Sequence, residues 1–272
     1  MPYEFEPHKL YRMPTHFGPS LGPRQGPGGR TFACVDNPKS TTVSVSFLSN
    51  SDQLSALLPP GFTLDGEPVV TVYATYMTEI EWLAGRGYNV VGVTIPVVYE
   101  GKETARGPFL TILWENLADP IITGREDIGY SKIYCEIPEL RCFDGRINCL
   151  ASWLGFSFLD LSVTDLNQDD SEMVSPVGDG ILHYKYIPKT GEWDQADCAY
   201  AVITPAGGSR VRVLESWKGE GTIHWHRSRW EDLPTFYNVV NTFADLEVQQ
   251  MSDASVTKTI GGRDLRDQRI LG

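Results

Sequence analysis

Lysine is the scarce charged residue of this chain: there are eight in 272 residues, and 23 basic side chains in all against 35 acidic ones give a formal net charge of −12. So few cations cannot neutralise a phosphate backbone, which argues against a general nucleic-acid binder. No apolar run approaches the roughly 20 residues of a membrane-spanning helix. The opening stretch MPYEFEPHKLYRMP has no basic segment followed by an apolar one, so no signal peptide is predicted and a cytoplasmic, non-membrane protein is expected. The five cysteines, Cys34, Cys135, Cys142, Cys149 and Cys198, contain no C-x-x-C pair. A core of this size needs no covalent staples, so they read as reduced and mostly buried thiols. G-x-G-x-x-G, P-loop and βαβ rhythm are all missing, as are a G-x-S-x-G elbow and a cysteine with a nearby histidine. The usual nucleotide folds and the standard hydrolase signatures therefore fail. There is no internal repeat.

What remains is strand signal. Residues 1–30, rich in proline and glycine without helical or strand period, read as an extended arm that packs on the body or on a neighbouring subunit. The body carries β-branched and aromatic stretches at Thr41–Leu48, Pro68–Met77, Val90–Tyr99, Phe109–Trp114, Ile133–Ile137, Leu150–Val163, Ile181–Ile187, Ala199–Ile203, Val211–Trp217 and Thr222–Arg227. Helical signals are few. Ser51–Leu58 starts with a capping residue and stops at Pro59-Pro60-Gly61, Leu117–Ile128 is interrupted at Pro120 and Gly124, and Leu233–Phe243 is ambiguous. The expected architecture is mainly β: a single-domain antiparallel barrel, closed or nearly so, with a few short helices, because such a topology hides the edges of many strands. The barrel is placed at residues 31–250, with 251–272 as a C-terminal tail.

Several segments could carry chemistry. His224 and His226 in IHWHR share one face of a strand, a spacing a metal site can use, but a solvent-facing strand explains them as well and no metal is predicted. Asp165–Asp170 with Ser171-Glu172 lacks the register of a calcium loop and reads as a solvated acidic loop. Lys132, in GYSKIYCEI, is different from the other lysines, most of which sit beside Gly, Pro or charge. A lysine set among apolar neighbours loses the hydration of its ammonium, and the neutral amine it then favours can attack a carbonyl to form a Schiff base. Local sequence alone favours the simpler account, a lysine that snorkels to water from a strand edge.

The stretch ENLADPIITGREDIGYSK, Glu115–Lys132, resembles the signature of the acetoacetate decarboxylase superfamily: G-R-E, then an aromatic residue, then the Schiff-base lysine, after a D/E-N segment. Gly124, Arg125, Glu126, Tyr130 and Lys132 fall in register. Further landmarks follow in order: Leu58-Pro59, Glu67-Pro68, Tyr88 with Ile95-Pro96-Val97, Ile187-Pro188, Trp217 with Gly219, and Asp232-Leu233-Pro234. The resemblance spans about residues 15–250. It implies a cone-like antiparallel β-barrel with the lysine inside, a homo-oligomer, and no cofactor. Acetoacetate decarboxylase is itself the standard illustration of a lysine activated by burial or by a neighbouring cation. Here Ile133 stands where decarboxylases have a second lysine, which leaves burial as the activating influence.

Other departures bear on the reaction. The landmarks put Ser40 at the family's pocket arginine, Tyr73 at one pocket glutamate, Val90 or Asn89 at the other, and Ser131 at the proline before the lysine. Loss of these charged groups alters how a carboxylate is held and a proton delivered. The resemblance thus implies a carbon–carbon lyase acting on a small keto acid through Lys132. It is either a decarboxylase or, with this pocket, an aldolase-dehydratase that joins pyruvate to an aldehyde. Tyr73, Glu115, Arg125, Glu126 and Tyr130 are the candidate pocket residues, with Arg125 and Glu126 also readable as an ion pair holding the turn. The alternative is a non-catalytic barrel that encloses a small apolar ligand.

Overall fold

The computed structural model describes residues 4–20, 26–169, 178–263 and 265–272. The end of the acidic stretch, Asp170 to Glu172, lies outside them. Fourteen strands occur among the described residues. The first seven are β1 (Lys39–Leu48), β2 (Phe62–Leu64), β3 (Val69–Thr78), β4 (Tyr88–Glu100), β5 (Thr104–Glu115), β6 (Lys132–Tyr134) and β7 (Arg141–Phe143). They are followed by β8 (Arg146–Trp153), β9 (Phe156–Gln168), β10 (Gly180–Lys189), β11 (Glu192–Pro205), β12 (Arg212–Trp225), β13 (Gln250–Ile260) and β14 (Arg269–Ile270). The helices are short: α1 (Ser51–Ser55), α2 (Ala118–Thr123) and α3 (Tyr237–Ala244). None is long and apolar enough to cross a membrane.

All the strands belong to one sheet, in the order β14-β11-β10-β5-β4-β3-β1-β13-β12-β9-β8-β7, with β2 beside β4 and β6 beside β5. Pairing is antiparallel except where β5 meets β10 and β6. The sheet is not closed: its two ends are β14 and β7, of two and three residues. Edges this short expose few unpaired backbone groups, so closure is not needed to protect them. The sheet nevertheless curls hard. β1 and β9 are separated by two strands, which in a flat sheet would set them roughly 14 Å apart, yet their Cα atoms approach within 8 Å.

The alternation of β3, VVTVYATYMT, shows how the sheet acquires two working faces. Val70, Val72, Ala74 and Tyr76 are buried in the main core with Val43, Val45 and Phe47 of β1. The opposite face carries Thr71, Tyr73, Thr75 and Met77, and hydroxyl pairs tie it to β1: Thr42 to Thr75 and Ser46 to Thr71, each at 2.9 Å. The centre of the main core is aromatic. Trp114 lies 5.4 Å from Phe158 and 5.7 Å from Trp225 between ring centroids, and Trp225 stacks on Phe243 of α3 at 5.2 Å.

Several stretches differ from the sequence-based expectation. Leu150–Val163 is two strands, not one: Leu154 and Gly155 both take positive φ (45° and 89°), the two-residue turn that matches strand twist in a hairpin. β12 runs unbroken through Gly219 and Gly221, because a Cβ at Gly221 would lie 2.7–2.8 Å from Val45 and Ala254; these glycines permit close approach rather than a turn. Residues 251–260, placed in a tail, form β13 in mid-sheet, paired with β1 on one side and β12 on the other. Its sequence QMSDASVTKTI offers only Ala254 and Val256 to the core, too thin an apolar alternation to announce a strand. Leu233–Phe243 resolves as a loop followed by α3, whose Val240 and Phe243 are buried against the core.

Truncating the fully buried Phe158 to Ala opens a cavity in the aromatic cluster and should cost about 3–5 kcal/mol in urea unfolding. A loss under ~1 kcal/mol would mean that the cluster is not the packing centre described here.

Candidate active site

Strand register brings the candidate residues onto the second face. Tyr73 pairs with Gly92, Gly92 with Leu113, and Leu113 with Lys132, so these four form one row across β3, β4, β5 and β6. One row further along, Thr75, Val90 and Glu115 are in register. The row beyond that holds Ser40, Met77 and Tyr88. Gly92 is required where it stands: a Cβ there would come within 2.3–2.7 Å of the Tyr73 ring and hydroxyl, which lie across it.

Lys132 reaches the face because the chain leaves β5, makes a helical excursion and returns parallel to it. α2 accepts Pro120 in its first turn, where no intrahelical N–H is lost. It then passes without a break into a π-helical turn at Gly124–Ile128, ended by Gly129 in the left-handed region at φ 78°. The expected interruption at Gly124 is therefore absent, and that glycine has a packing reason. A Cβ at 124 would stand 2.4 Å from Lys132 Cδ and Cε and 2.7 Å from Nζ, so the lysine stem runs directly over it.

Lys132 is 6% exposed and Glu115 0%. The Nζ lies 2.8 Å from Glu115 Oε1 and donates to the Pro120 carbonyl at 3.1 Å. The lysine does not snorkel to water. Neither oxygen of Glu115 accepts a well-aligned hydrogen bond, so the pair is held by charge and proximity. Burial raises the pKa of the Glu115 carboxyl, and the neighbouring Lys132 opposes part of that rise.

Tyr130 forms one wall. Its ring lies 5.5 Å from Lys132 Nζ on one side and stacks on His183 at 4.3 Å. Its hydroxyl meets Thr204 Oγ1 at 2.7 Å and accepts from Gln268 Nε2 at 3.1 Å. Burial raises the pKa values of Tyr130, Tyr73 and Tyr88, and the Glu115 charge adds to the rise at Tyr73 and Tyr88. His183 is wholly buried, with Nδ1 3.1 Å from the Gly129 carbonyl. That contact assigns the ring proton to Nδ1 and leaves Nε2 as an acceptor with no partner. Burial lowers its pKa to about 4, the Gly129 hydrogen bond working against the shift and the Lys132 charge adding to it.

Lys132 opens onto a cavity of about 80 Å³ whose lining includes Phe32, Trp82, Tyr88, Asp127, Arg263 and Leu265. One water needs roughly 10–15 Å³ of such space, so there is room for a small organic molecule.

Of the residues expected here, Lys132, Glu115, Tyr130 and Tyr73 converge. Arg125 and Glu126 do not. Arg125 is exposed and donates Nη1 to the Lys132 carbonyl at 2.9 Å, clamping the turn from outside. The backbone carbonyl of Glu126 accepts from Lys185. No ion pair joins Arg125 to Glu126. Asp127, the next residue, pairs instead with Arg12 of the N-terminal arm. His224 and His226 stand elsewhere, at the end of β12 and just beyond it, where His226 pairs with Asp160. No group of three or more potential metal ligands occurs among the described residues.

His183, Arg263 and Gln268 escaped the sequence reading. His183 meets a carbonyl 54 residues away, while Arg263 and Gln268 lie in the stretch read as tail. No local pattern marks any of them.

Comparison with known proteins follows the same lines. The family model for acetoacetate decarboxylase matches residues 12–261. The acetoacetate decarboxylase of Legionella pneumophila superposes with a TM-score of 0.64 at 18% identity, covering 91% of this chain and 92% of that one. The enduracididine biosynthesis enzyme MppR complexed with pyruvate gives 0.62 at 18% identity, over 89% and 95% of the two chains. MppR with the condensation product of pyruvate and imidazole 4-carboxaldehyde gives 0.60 at 16%, over 88% and 93%. An acetoacetate decarboxylase-like enzyme from Sphingomonas wittichii RW1 gives 0.61 at 22%, over 86% and 91%. At these identities the likeness is one of fold. No protein of curated function matches the sequence.

Two outcomes test the geometry. In a crystal structure of Gly124→Ala, Lys132 Nζ should move out of reach of Glu115, beyond ~3.5 Å; an unmoved ammonium would refute the packing constraint. His183 is the second. Its pKa is lowered on folding, so the stability it confers is full above pH 6.5 and is lost as pH falls through about 4, an effect of roughly 3 kcal/mol. Urea unfolding of His183→Gln between pH 7 and 4 should lose stability less steeply than the parent, and parallel curves would contradict the buried neutral imidazole.

Proposed function

The chain belongs to the acetoacetate decarboxylase family, and from that premise we propose that it is a carbon–carbon lyase acting on a small keto acid through a Schiff base at Lys132. The observation that carries the reading is the buried amine at the cavity wall, 2.8 Å from a buried carboxylate. A lysine held only for packing gains nothing from that placement, since taking both charges out of water costs several kcal/mol per ion.

The chemistry follows from the pair. Glu115, whose carboxyl binds a proton more readily than usual, takes one from Lys132 and frees the amine lone pair. The amine nitrogen adds to the keto carbon, and the carbinolamine hydroxyl leaves as water with the proton that Glu115 returns. The resulting iminium withdraws electrons from the adjacent carbon. In the aldolase-dehydratase course a methyl proton is removed, and the enamine carbon attacks an aldehyde. A second water is then eliminated, and hydrolysis releases the product and the amine. In the decarboxylase course the bond to the carboxylate breaks instead, CO2 leaves and the enamine carbon is protonated.

Two features favour the first course. The landmarks put Tyr73, and Val90 or Asn89, at the two glutamates that the family's decarboxylases place in the pocket, and hydroxyls of Tyr73 and Tyr88 bring donors to the same face without adding charge. Binding of pyruvate and of a pyruvate–aldehyde condensation product by MppR supports it.

Borohydride reduction in the presence of pyruvate, followed by peptide mass spectrometry, should give an adduct confined to Lys132 and none in Lys132→Ala. Acetoacetate labelling more efficiently than pyruvate would move the assignment to the decarboxylase. Labelling of neither above the surface lysines would sink the Schiff-base reading in favour of a barrel that only binds an apolar ligand.

A further inference from the structure

A keto acid joined to Lys132 still carries its carboxylate, and a buried carboxylate needs a cation. The family's arginine in the first strand has no counterpart here: β1 contains no arginine, and Ser40, which the landmarks put at that place, lies two side-chain rows from the Tyr73–Lys132 row. Three charged residues line the cavity among the described residues: Asp127, Lys132 and Arg263. Asp127 is already matched by Arg12. Lys132 is matched by Glu115 and is the nitrogen that forms the covalent bond. Arg263 is left.

Its placement suits the task. The residue follows β13 and its side chain is 17% exposed. Nη1 donates to the Pro205 carbonyl, and Nη2 donates to the Gly207 carbonyl at 3.1 Å and pairs with Asp267. These contacts fix the plane of the guanidinium at the end of β11. The two carbonyls leave its charge in place, and Asp267 is 42% exposed, where water screens the pair. The planar fork offers donors on more than one edge, so an incoming carboxylate need not displace every contact.

We propose that Arg263 receives the carboxylate of the keto-acid substrate and selects keto acids over neutral carbonyl compounds, an assignment that rests on the Schiff-base reading.

The test compares borohydride trapping of pyruvate and of methyl pyruvate, which keeps the keto carbon but carries no charge. Arg263→Gln should raise the half-saturating pyruvate concentration about 10–100-fold, the usual weight of a charged hydrogen bond, and move the methyl pyruvate value far less. Equal losses with both compounds, or no change with either, would overturn the assignment while leaving the Schiff base intact. Absence of any Lys132 adduct in the parent protein overturns both. Should Arg263→Gln fail to fold, Asp267→Asn carries the same question. Freed of its competing carboxylate, Arg263 should bind pyruvate severalfold more tightly with methyl pyruvate unmoved, and an unchanged pyruvate value would count against the proposal.

Discussion

The buried contact between Lys132 and Glu115 is the constraint around which this face of the molecule is built. Two opposite charges withdrawn from water attract strongly, but each loses hydration worth several kcal/mol, and Glu115 receives no well-aligned hydrogen bond in compensation. The arrangement persists because β5 and β6 pair in parallel, with Leu113 opposite Lys132 and Glu115 opposite Tyr134. Backbone register, which neither side chain can alter, holds the two groups together. What the pair sets beside the cavity is an amine next to a carboxyl whose pKa burial has raised.

Much of the surrounding structure keeps that pair in place. Gly124 gives up its side chain so that the lysine stem can pass, and Arg125 grips the Lys132 carbonyl from the solvent side. The G-R-E segment thus mounts the lysine, with the Arg125 and Glu126 side chains outside the cavity onto which Lys132 opens. Glycine supplies clearance, arginine supplies a clamp, and the glutamate contributes its backbone carbonyl to Lys185. Arg12 extends the mounting to the N-terminal arm through Asp127. Behind the lysine, Tyr130 is pinned by Thr204 and Gln268 and backed by a neutral His183. The wall next to the amine is therefore rigid, aromatic and uncharged. Gly92 plays for Tyr73 the part that Gly124 plays for Lys132.

The open, curled sheet explains how one set of strands serves two environments. On β3 and β5 alternate residues face either a large aliphatic and aromatic core or the smaller site face. Trp114 and Glu115 are adjacent in sequence and wholly buried on opposite sides. Stability and chemistry are separated by the two-residue period of the strand, so the site can carry strained electrostatics while the other face supplies the packing.

The sequence by itself determined the strand-rich class and the alternation that creates two faces, and it singled out Lys132, which the structure shows to be buried. Each depends on residues close together in the chain: β-branched alternation in β1 and β3, and the spacing of Gly124, Tyr130 and Lys132. It also placed Glu115 and Tyr73 among the candidates, though by landmark alone. Only the tertiary structure decided that Arg125 and Glu126 stand outside the cavity, because the sense in which a helical turn presents its residues depends on what packs beneath it. The same holds for His183, Arg263 and Gln268, whose contacts with Gly129, Pro205 and Tyr130 join segments 54 or more residues apart. It also holds for β13, whose sparse apolar residues become a strand because β1 and β12 leave a gap that only another backbone can fill. Local pattern reports which face a residue belongs to, whereas the meeting of distant segments decides what that face contains.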